Sequence, residues 1–453
     1  MKISNINFLN YKKISNLNVS IPIDNNVVCF VGENGSNKSS ILYTIYQLIR
    51  RHSSEASPSD ETDHYRQNTN IIKQDSKDGF YYASVSIEHE SNIYKCSEAA
   101  VIDYSKITND IQALFTASFR QNMLDTSSMF ISDYNANGIH HNWDTTFEES
   151  NDPIKSNVLL FRPTNRHEIA PYEKKSNDYT YKPETSRIIG RRRFPFKVTS
   201  GIDDAISIFL DVLLEHFIAT SNSKTPSYSL HQSFIDTLRS IDSNFEKFSI
   251  GTFPIRSISC NGLPSLDALS SGQSDWLVTA FNIFIQSTEI QRNNNTKYRL
   301  PSDVPGIVFI DEIDKNFHPK MQEEFLPWLT STFPNIQFII TTHSPYVIRS
   351  LPENSTVIKL PNGEDITDNY SYFDINEIIN KVFEQNLGFS PSVQEKINEI
   401  ILLVNEQQEG NHDLIKEKYD FLTSKSASLH EHLRRIILTQ GSANLIEVLD
   451  ALS

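Results

Sequence analysis

The sequence predicts an α/β fold built on a mixed sheet, with a large, mostly helical insertion and a C-terminal helical tail; three stretches carry that prediction. The apolar run Val27-Val-Cys-Phe-Val31 passes through Gly32-Glu-Asn-Gly-Ser-Asn-Lys-Ser-Ser40 into the periodic segment Ile41-Leu-Tyr-Thr-Ile-Tyr-Gln-Leu-Ile49. The run Gly306-Ile-Val-Phe-Ile310 ends in Asp311 and Glu312, and Ile336-Gln-Phe-Ile-Ile-Thr-Thr342 runs directly into His343. Short β-branched runs of this kind read as strands buried on both faces, and in such sheets ligands bind beyond the carboxyl ends of the strands.

Taken in order, residues 2–8 and 14–22 alternate apolar and polar side chains, the period-2 pattern of half-buried strands, with Asn10-Tyr-Lys-Lys13 as their turn. The stretch from Gly32 to Ser40 has the layout of a P-loop: strand, Gly-containing turn, helix. A triphosphate needs backbone N–H groups and a helix N-terminus facing it. Gly32, Glu33, Asn34, Gly35, Ser36, Asn37, Lys38, Ser39 and Ser40 are therefore the candidate nucleotide contacts. Lys38 is placed to reach the β and γ phosphates, and the Ser39 hydroxyl to ligate Mg²⁺. Asn37 stands where the G-x-x-x-x-G-K-[ST] pattern has glycine. Asn tolerates a left-handed backbone better than most residues, so the loop is expected to keep its shape.

From Arg50 to about Lys77 the composition is that of an exposed polar loop, and Phe80–Glu88 with Ser91–Cys96 reads as a hairpin. His140 and His141 are adjacent, so they point differently, and no other ligand sits at metal spacing. Val158–Arg162 reads as a buried strand running into a turn with Arg166. The densest basic run is Arg191-Arg-Arg-Phe-Pro-Phe-Lys197, equally suited to a phosphate backbone, a partner's acidic face or a solvated loop. Three- and four-residue apolar spacing predicts helices over 202–220 and 228–248. Leu269-Ser-Ser-Gly-Gln273 then opens another helix, whose N-terminus and small residues make a second phosphate-facing surface. At the end of the Gly306 strand, Asp311 is placed to hold Mg²⁺ through its water shell and Glu312 to orient and deprotonate the attacking water. An amphipathic helix over 321–332 separates this strand from the one ending at His343, and beyond residue 365 the pattern is helical.

The chain of 453 residues carries a formal charge of −15, which argues against a protein coated in nucleic acid; any DNA contact has to be local. No apolar run approaches the roughly 20 residues that span a bilayer, and no signal-like start is present. A cytoplasmic protein with no membrane partner is expected. Three separated cysteines, Cys29, Cys96 and Cys260, fit neither a zinc nor a disulfide pattern.

Four motifs in one order, each on a suitable element, resemble the ABC-type ATPase heads of the SMC, RecF and OLD-like group over about residues 1–50 and 255–350. Leu269-Ser-Ser-Gly-Gln273 is similar to that group's L-S-G-G-Q signature, with Ser271 for the first glycine. The resemblance implies that Ser270, Gly272 and Gln273 face ATP held by a second copy, hence a homo-oligomer. It also implies that His343 is the switch histidine on the γ-phosphate, and that Tyr11 or Lys12 touches the base or α-phosphate. No glutamine stands out for the group's phosphate-sensing position. The corresponding division is a first head lobe over 1–99, the insertion over 100–254, a second lobe over 255–365 and the tail over 366–453.

The phrasing Asp311-Glu-Ile-Asp314, His318-Pro319 and Thr341-Thr-His-Ser-Pro345 is nearest the OLD-like subgroup. The tail is too short for that subgroup's nuclease domain and no His-Asn-His arrangement occurs, so the chain is expected to cut nothing itself. A head of this kind with a short helical tail is similar to the ATPases of Septu antiphage systems and, next, of PARIS systems. That likeness implies ATP and Mg²⁺ as cofactors and control of a separate nuclease subunit, of HNH type. The alternatives are an ATP-bound scaffold with little turnover that holds the effector inactive, or a RecF-like DNA repair ATPase using Arg191, Arg192 and Arg193.

Overall fold

The alternating N-terminal residues fold as β1 (Lys2–Tyr11) and β2 (Ile14–Ser20), an antiparallel pair. The protein is seen here as a computed structural model that describes residues 1–53, 80–101, 152–164, 197–198, 230–242, 248–250, 258–260, 269–293, 300–384, 390–405, 412–426, 429–430 and 433. The expectations on 54–77, His140, His141, Arg166, Arg191 to Arg193 and the helix over 202–220 fall outside those residues. β3 (Val27–Gly32) leads into α1 (Lys38–Arg51), and β4 (Phe80–His89) with β5 (Asn92–Val101) forms the expected hairpin. β1 also pairs with β4, giving an antiparallel sheet in the order β2-β1-β4-β5.

Next come β6 (Val158–Arg162), β7 (Lys197–Val198), α2 (Leu230–Ile241), β8 (Phe248–Ile250) and β9 (Ile258–Cys260). The helix predicted over 228–248 thus stops at Ile241. Its last apolar position belongs to a strand: Phe248, Ser249 and Ile250 alternate and pair with β9, so a spacing that fits a helix ran on into a period-2 segment. The second half of the head contributes α3 (Ser271–Asn293), β10 (Gly306–Ile310), α4 (Pro319–Thr332), β11 (Ile336–Thr341), α5 (Pro345–Arg349), β12 (Ser355–Leu360), β13 (Glu364–Asp365) and α6 (Ile375–Phe383).

Among the described residues one mixed sheet runs β13-β12-β3-β11-β10-β6-β7, parallel from β12 to β7 with β13 antiparallel at its edge. Its strands show no polar alternation because both faces are covered. Val28, Phe30, Leu159, Phe161, Ile307 and Phe309 enter a core shared with α1 and the antiparallel sheet. Val27, Cys29, Val31, Leu160, Val308 and Ile310 enter a second core shared with α3, α4, α5 and α6. Each such side chain contributes about 1.5–3 kcal/mol by leaving water. Gln337 is the polar exception in β11. Fully buried, its Oε1 accepts from the Ile3 N–H (2.7 Å), and its Nε2 donates to the Ile3 and Asn25 carbonyls (3.2 and 3.1 Å). The amide joins the two sheets with its hydrogen-bonding capacity met on both sides.

The chain divides into two compact units, residues 1–383 and 384–453. α6 packs in the first unit through Ile378 and Val382. In the second, α7 (Pro391–Asn405) and α8 (His412–Thr423) bury Ile397, Ile400, Ile415, Tyr419 and Leu422 against one another. Among the described residues, no helix is long and apolar enough to cross a membrane.

Candidate active site

Parallel strands deliver their carboxyl ends to one edge of the sheet, and the exits of β3, β6, β10 and β11 meet there. After β3 the chain turns tightly, with the Ser36 N–H donating to the Glu33 carbonyl (3.2 Å). Gly32 has no room for a side chain: a Cβ would stand 2.5 Å from the Leu360 carbonyl oxygen on β12. Asn37 takes the left-handed conformation (φ 71°, ψ 22°) expected of it at the N-cap of α1, and its carbonyl accepts from the Ile41 N–H (3.0 Å). Its buried Nδ2 has no hydrogen-bond partner among the described residues. Glu33, Asn34, Gly35 and Ser39 are exposed, and Ser36 is buried.

Lys38 is only 6% exposed and folds back onto its own loop, donating from Nζ to the carbonyls of Gly32 (2.9 Å) and Glu33 (2.8 Å). Burial lowers its pKa to about 8, against the opposing pull of Asp311, Glu312 and Asp314. A bound phosphate stabilises the ammonium, so binding takes up a proton wherever the free lysine is neutral. Nucleotide affinity measured in EDTA should therefore fall, up to about tenfold per unit, as pH rises through about 8. Titrating a fluorescent ADP analogue across that range checks this; a flat profile would remove Lys38 as the responding group.

Asp311 is buried directly beyond the end of β10 at Ile310. The Asp311 N–H donates to the Arg162 carbonyl of β6 (2.9 Å), and the chain then reverses at Glu312, whose φ is 47°. The Glu312 N–H donates to Thr341 Oγ1 (2.7 Å). Asp311 Oδ1 accepts from Ser39 Oγ (3.0 Å) and Thr341 Oγ1 (2.7 Å), while Oδ2 accepts from Thr164 Oγ1. Among the described residues no group of three or more His, Cys, Asp or Glu is arranged to hold a metal. One hydroxyl and one carboxylate at the mouth of a Gly-containing loop are instead a hard-oxygen pair of the kind that suits Mg²⁺. Ser39 and Asp311 fit that ion.

His343 follows β11. Ser344 caps α5, accepting from the N–H groups of Tyr346 (3.1 Å) and Val347 (3.4 Å), with Pro345 at the first helical position. Asp314 holds the preceding turn, its Oδ1 accepting from Thr342 Oγ1 (2.5 Å) and the His343 N–H (3.3 Å). Burial and then Lys38 push the His343 pKa down, opposed by Asp314 and Asp311. Lys38 is thus close enough to Asp311, Glu312 and His343 to feel or exert charge, and Ser39 is hydrogen-bonded to Asp311.

Of the remaining sequence candidates, Lys12 touches the start of α1, and the others serve the core or the start of α3. Ser270 and Gln273 form a reciprocal capping box at the start of α3: the Ser270 N–H donates to Gln273 Oε1 (3.0 Å) and the Gln273 N–H to Ser270 Oγ (3.3 Å). Gly272 lets α3 approach the turn after Glu312; a Cβ would stand 2.7 Å from the Asn316 carbonyl oxygen. None of the three hydrogen-bonds to the P-loop among the described residues. Tyr11 is buried beside Phe8 and Tyr81, with its hydroxyl on Thr44 Oγ1 (2.9 Å), so it serves the core. Lys12 Nζ donates to Ser40 Oγ at the first turn of α1 (2.8 Å). Sequence reading gave no role to Thr164, Asp314, Lys315 or Thr341. The order of strands in the sheet brings Thr164 and Thr341 here, whereas Asp314 and Lys315 follow Asp311 and Glu312 in the same turn.

Residues 1–348 match the protein family described as AAA ATPase domain. The chain belongs to that family. This AAA ATPase is 26% identical over 409 residues, 81% of its length and 74% of the relative's, to the retron Vc95 probable ATPase of Vibrio cholerae serotype O1 biovar El Tor. It is 36% identical over 104 residues to the Septu protein PtuA of Bacillus mycoides, a stretch that covers 23% of this chain and 14% of that one. Among solved structures it is similar to the SMC head domain from Thermotoga maritima, with 13% identity, coverage of 81% and 97%, and a TM-score of 0.36.

Proposed function

We propose that this AAA ATPase hydrolyses ATP as the regulatory subunit of a cytoplasmic antiphage defence complex. The observation that carries the catalytic part is the meeting of the P-loop with the β10 acids: Ser39 Oγ lies 3.0 Å from Asp311 Oδ1, although 272 positions separate the two residues. Relatives named as a retron ATPase and a Septu protein support the setting in defence.

In this reading Lys38 leaves the Gly32 and Glu33 carbonyls for the β and γ phosphates, and the N–H groups from Glu33 to Ser40 line the phosphate chain. Ser39 and Asp311 hold Mg²⁺, which when bound neutralises charge developing on the phosphates. Glu312 orients the attacking water and takes its proton as the bond between the γ-phosphorus and the bridging oxygen breaks. His343 donates a hydrogen bond to the γ-phosphate and senses its loss. Ser270, Gly272 and Gln273 of a second copy close the site from the other side, so that heads pair around ATP. The tail over 366–453 or the insertion over 100–254 carries the nucleotide state to a separate nuclease of HNH type, and DNA contact is confined to the run at Arg191 to Arg193.

The test is ATP binding and phosphate release by the purified chain and by Lys38→Ala. Binding is expected to weaken by about 100-fold or more, as for loss of a charge-assisted contact plus its buried partners. Equal binding by both proteins would sink the P-loop reading. Coexpression with the product of the adjacent gene, followed by a nuclease assay with and without ATP, tests the effector half.

A further inference from the structure

Thr164 touches one acid of the site directly and reaches the other through a lysine. The register of β6 against β10 sets Arg162 opposite Ile310, and the hydrogen bond from the Asp311 N–H to the Arg162 carbonyl (2.9 Å) carries the β6 exit alongside the carboxylate. Ser39 and Thr341 both donate to Asp311 Oδ1; Thr164 Oγ1 donates to Oδ2. The Thr164 carbonyl in turn accepts from Lys315 Nζ (2.9 Å), and that ammonium lies 3.9 Å from Glu312 Oε2. Pro163 fixes its own φ and restricts Arg162, so the backbone sets where this hydroxyl and carbonyl stand.

We propose that Thr164 is the positioning residue of both acids, its hydroxyl setting the rotation of the Asp311 carboxylate and its carbonyl anchoring the lysine whose ammonium stands beside Glu312. A carboxylate held through one oxygen can swing about its Cβ–Cγ bond, whereas donors on both oxygens fix its plane. Mg²⁺ demands near-octahedral geometry, so a swung carboxylate loses affinity, and partners that orient a metal ligand matter accordingly. This inference rests on the Mg²⁺-ATP reading above, in which Asp311 faces the ion and Glu312 the water.

Thr164→Val keeps the shape and removes the hydroxyl; Thr164→Ser keeps the hydroxyl and removes the methyl. With Mn²⁺ as probe, titrated by electron paramagnetic resonance into the protein–ADP complex, Thr164→Val is expected to bind the ion about 10- to 100-fold more weakly. Its ADP affinity in EDTA should stay within about twofold, and Thr164→Ser should keep Mn²⁺ affinity within about threefold of wild type. Lys315→Met should lower kcat while KM and Mn²⁺ affinity hold. Wild-type Mn²⁺ affinity in Thr164→Val overturns the proposal, and so does an equal loss in Thr164→Ser, which would assign the effect to the methyl group. An unchanged kcat in Lys315→Met overturns the part that concerns Glu312. A wild-type protein that binds no ADP would instead overturn the nucleotide reading itself.

Discussion

Glu312→Gln is expected to lower steady-state phosphate release by about 100- to 10,000-fold, the range a positioned general base contributes. Glutamine has the same size and can still accept a hydrogen bond from water, so the water stays oriented, but the amide cannot take its proton. The local backbone should survive, because the reversal at Glu312 is held by its own N–H on Thr341 Oγ1 (2.7 Å) and by the Ile313 N–H on the Thr341 carbonyl (3.0 Å), not by the side chain. ATP affinity should therefore stay within about twofold, and ATP-bound protein should accumulate. Parallel measurements of phosphate release and of equilibrium ATP binding check both halves. Equal turnover in wild type and variant would take the hydrolytic role from Glu312 and favour a scaffold that holds ATP without using it.

Asp275→Ala is expected to destabilise the unit formed by residues 1–383 by up to about 3–5 kcal/mol, the range for removing one member of a buried ion pair. Arg162 is fully buried at the end of β6, and its Nε (3.1 Å) and Nη both donate to Oδ1 of Asp275 in the second turn of α3. The side chains of the pair are 0% and 2% exposed, so water cannot take over for the missing carboxylate. Arg162→Met combined with Asp275→Leu should recover most of the loss, since apolar residues of similar volume remove both desolvation costs together. Denaturant midpoints for the single and double variants decide this. A single variant within about 1 kcal/mol of wild type would mean that the guanidinium finds compensation inside the protein.

Much of the fold was legible because the strands of a doubly covered sheet have to be apolar throughout and the helices between them periodic. Val27–Val31, Gly306–Ile310 and Ile336–Thr341 announce themselves on that ground, and each is a strand of the mixed sheet. The helix placed over 228–248 was not legible to its end, because Phe248 fits a helical spacing as well as the alternation it follows. In the site, Lys38 and Asp311 could be named from sequence because a loop around phosphate and a strand ending in acids are local patterns. Ser270 and Gln273, expected to face ATP held by a second copy, are engaged here at the start of α3. That Ser270 and Gln273 cap α3 could have been read from the S-x-x-Q spacing at the start of a helix.

By itself, then, the sequence determined that Val27–Val31, Gly306–Ile310 and Ile336–Thr341 are strands, that a Gly-containing loop leads into α1 and which acids stand at a strand end, since these follow from side-chain periodicity and short-range backbone chemistry. Tertiary structure alone decided that β6 lies beside β10, which brings Thr164 to Asp311 and Lys315 to the Thr164 carbonyl, and that α3 packs on β6, which brings Arg162 to Asp275. Those partners are separated by more than a hundred positions. Their meeting depends on the order in which strands pair across the sheet and on which helix covers it, which the local spacing of residues does not encode.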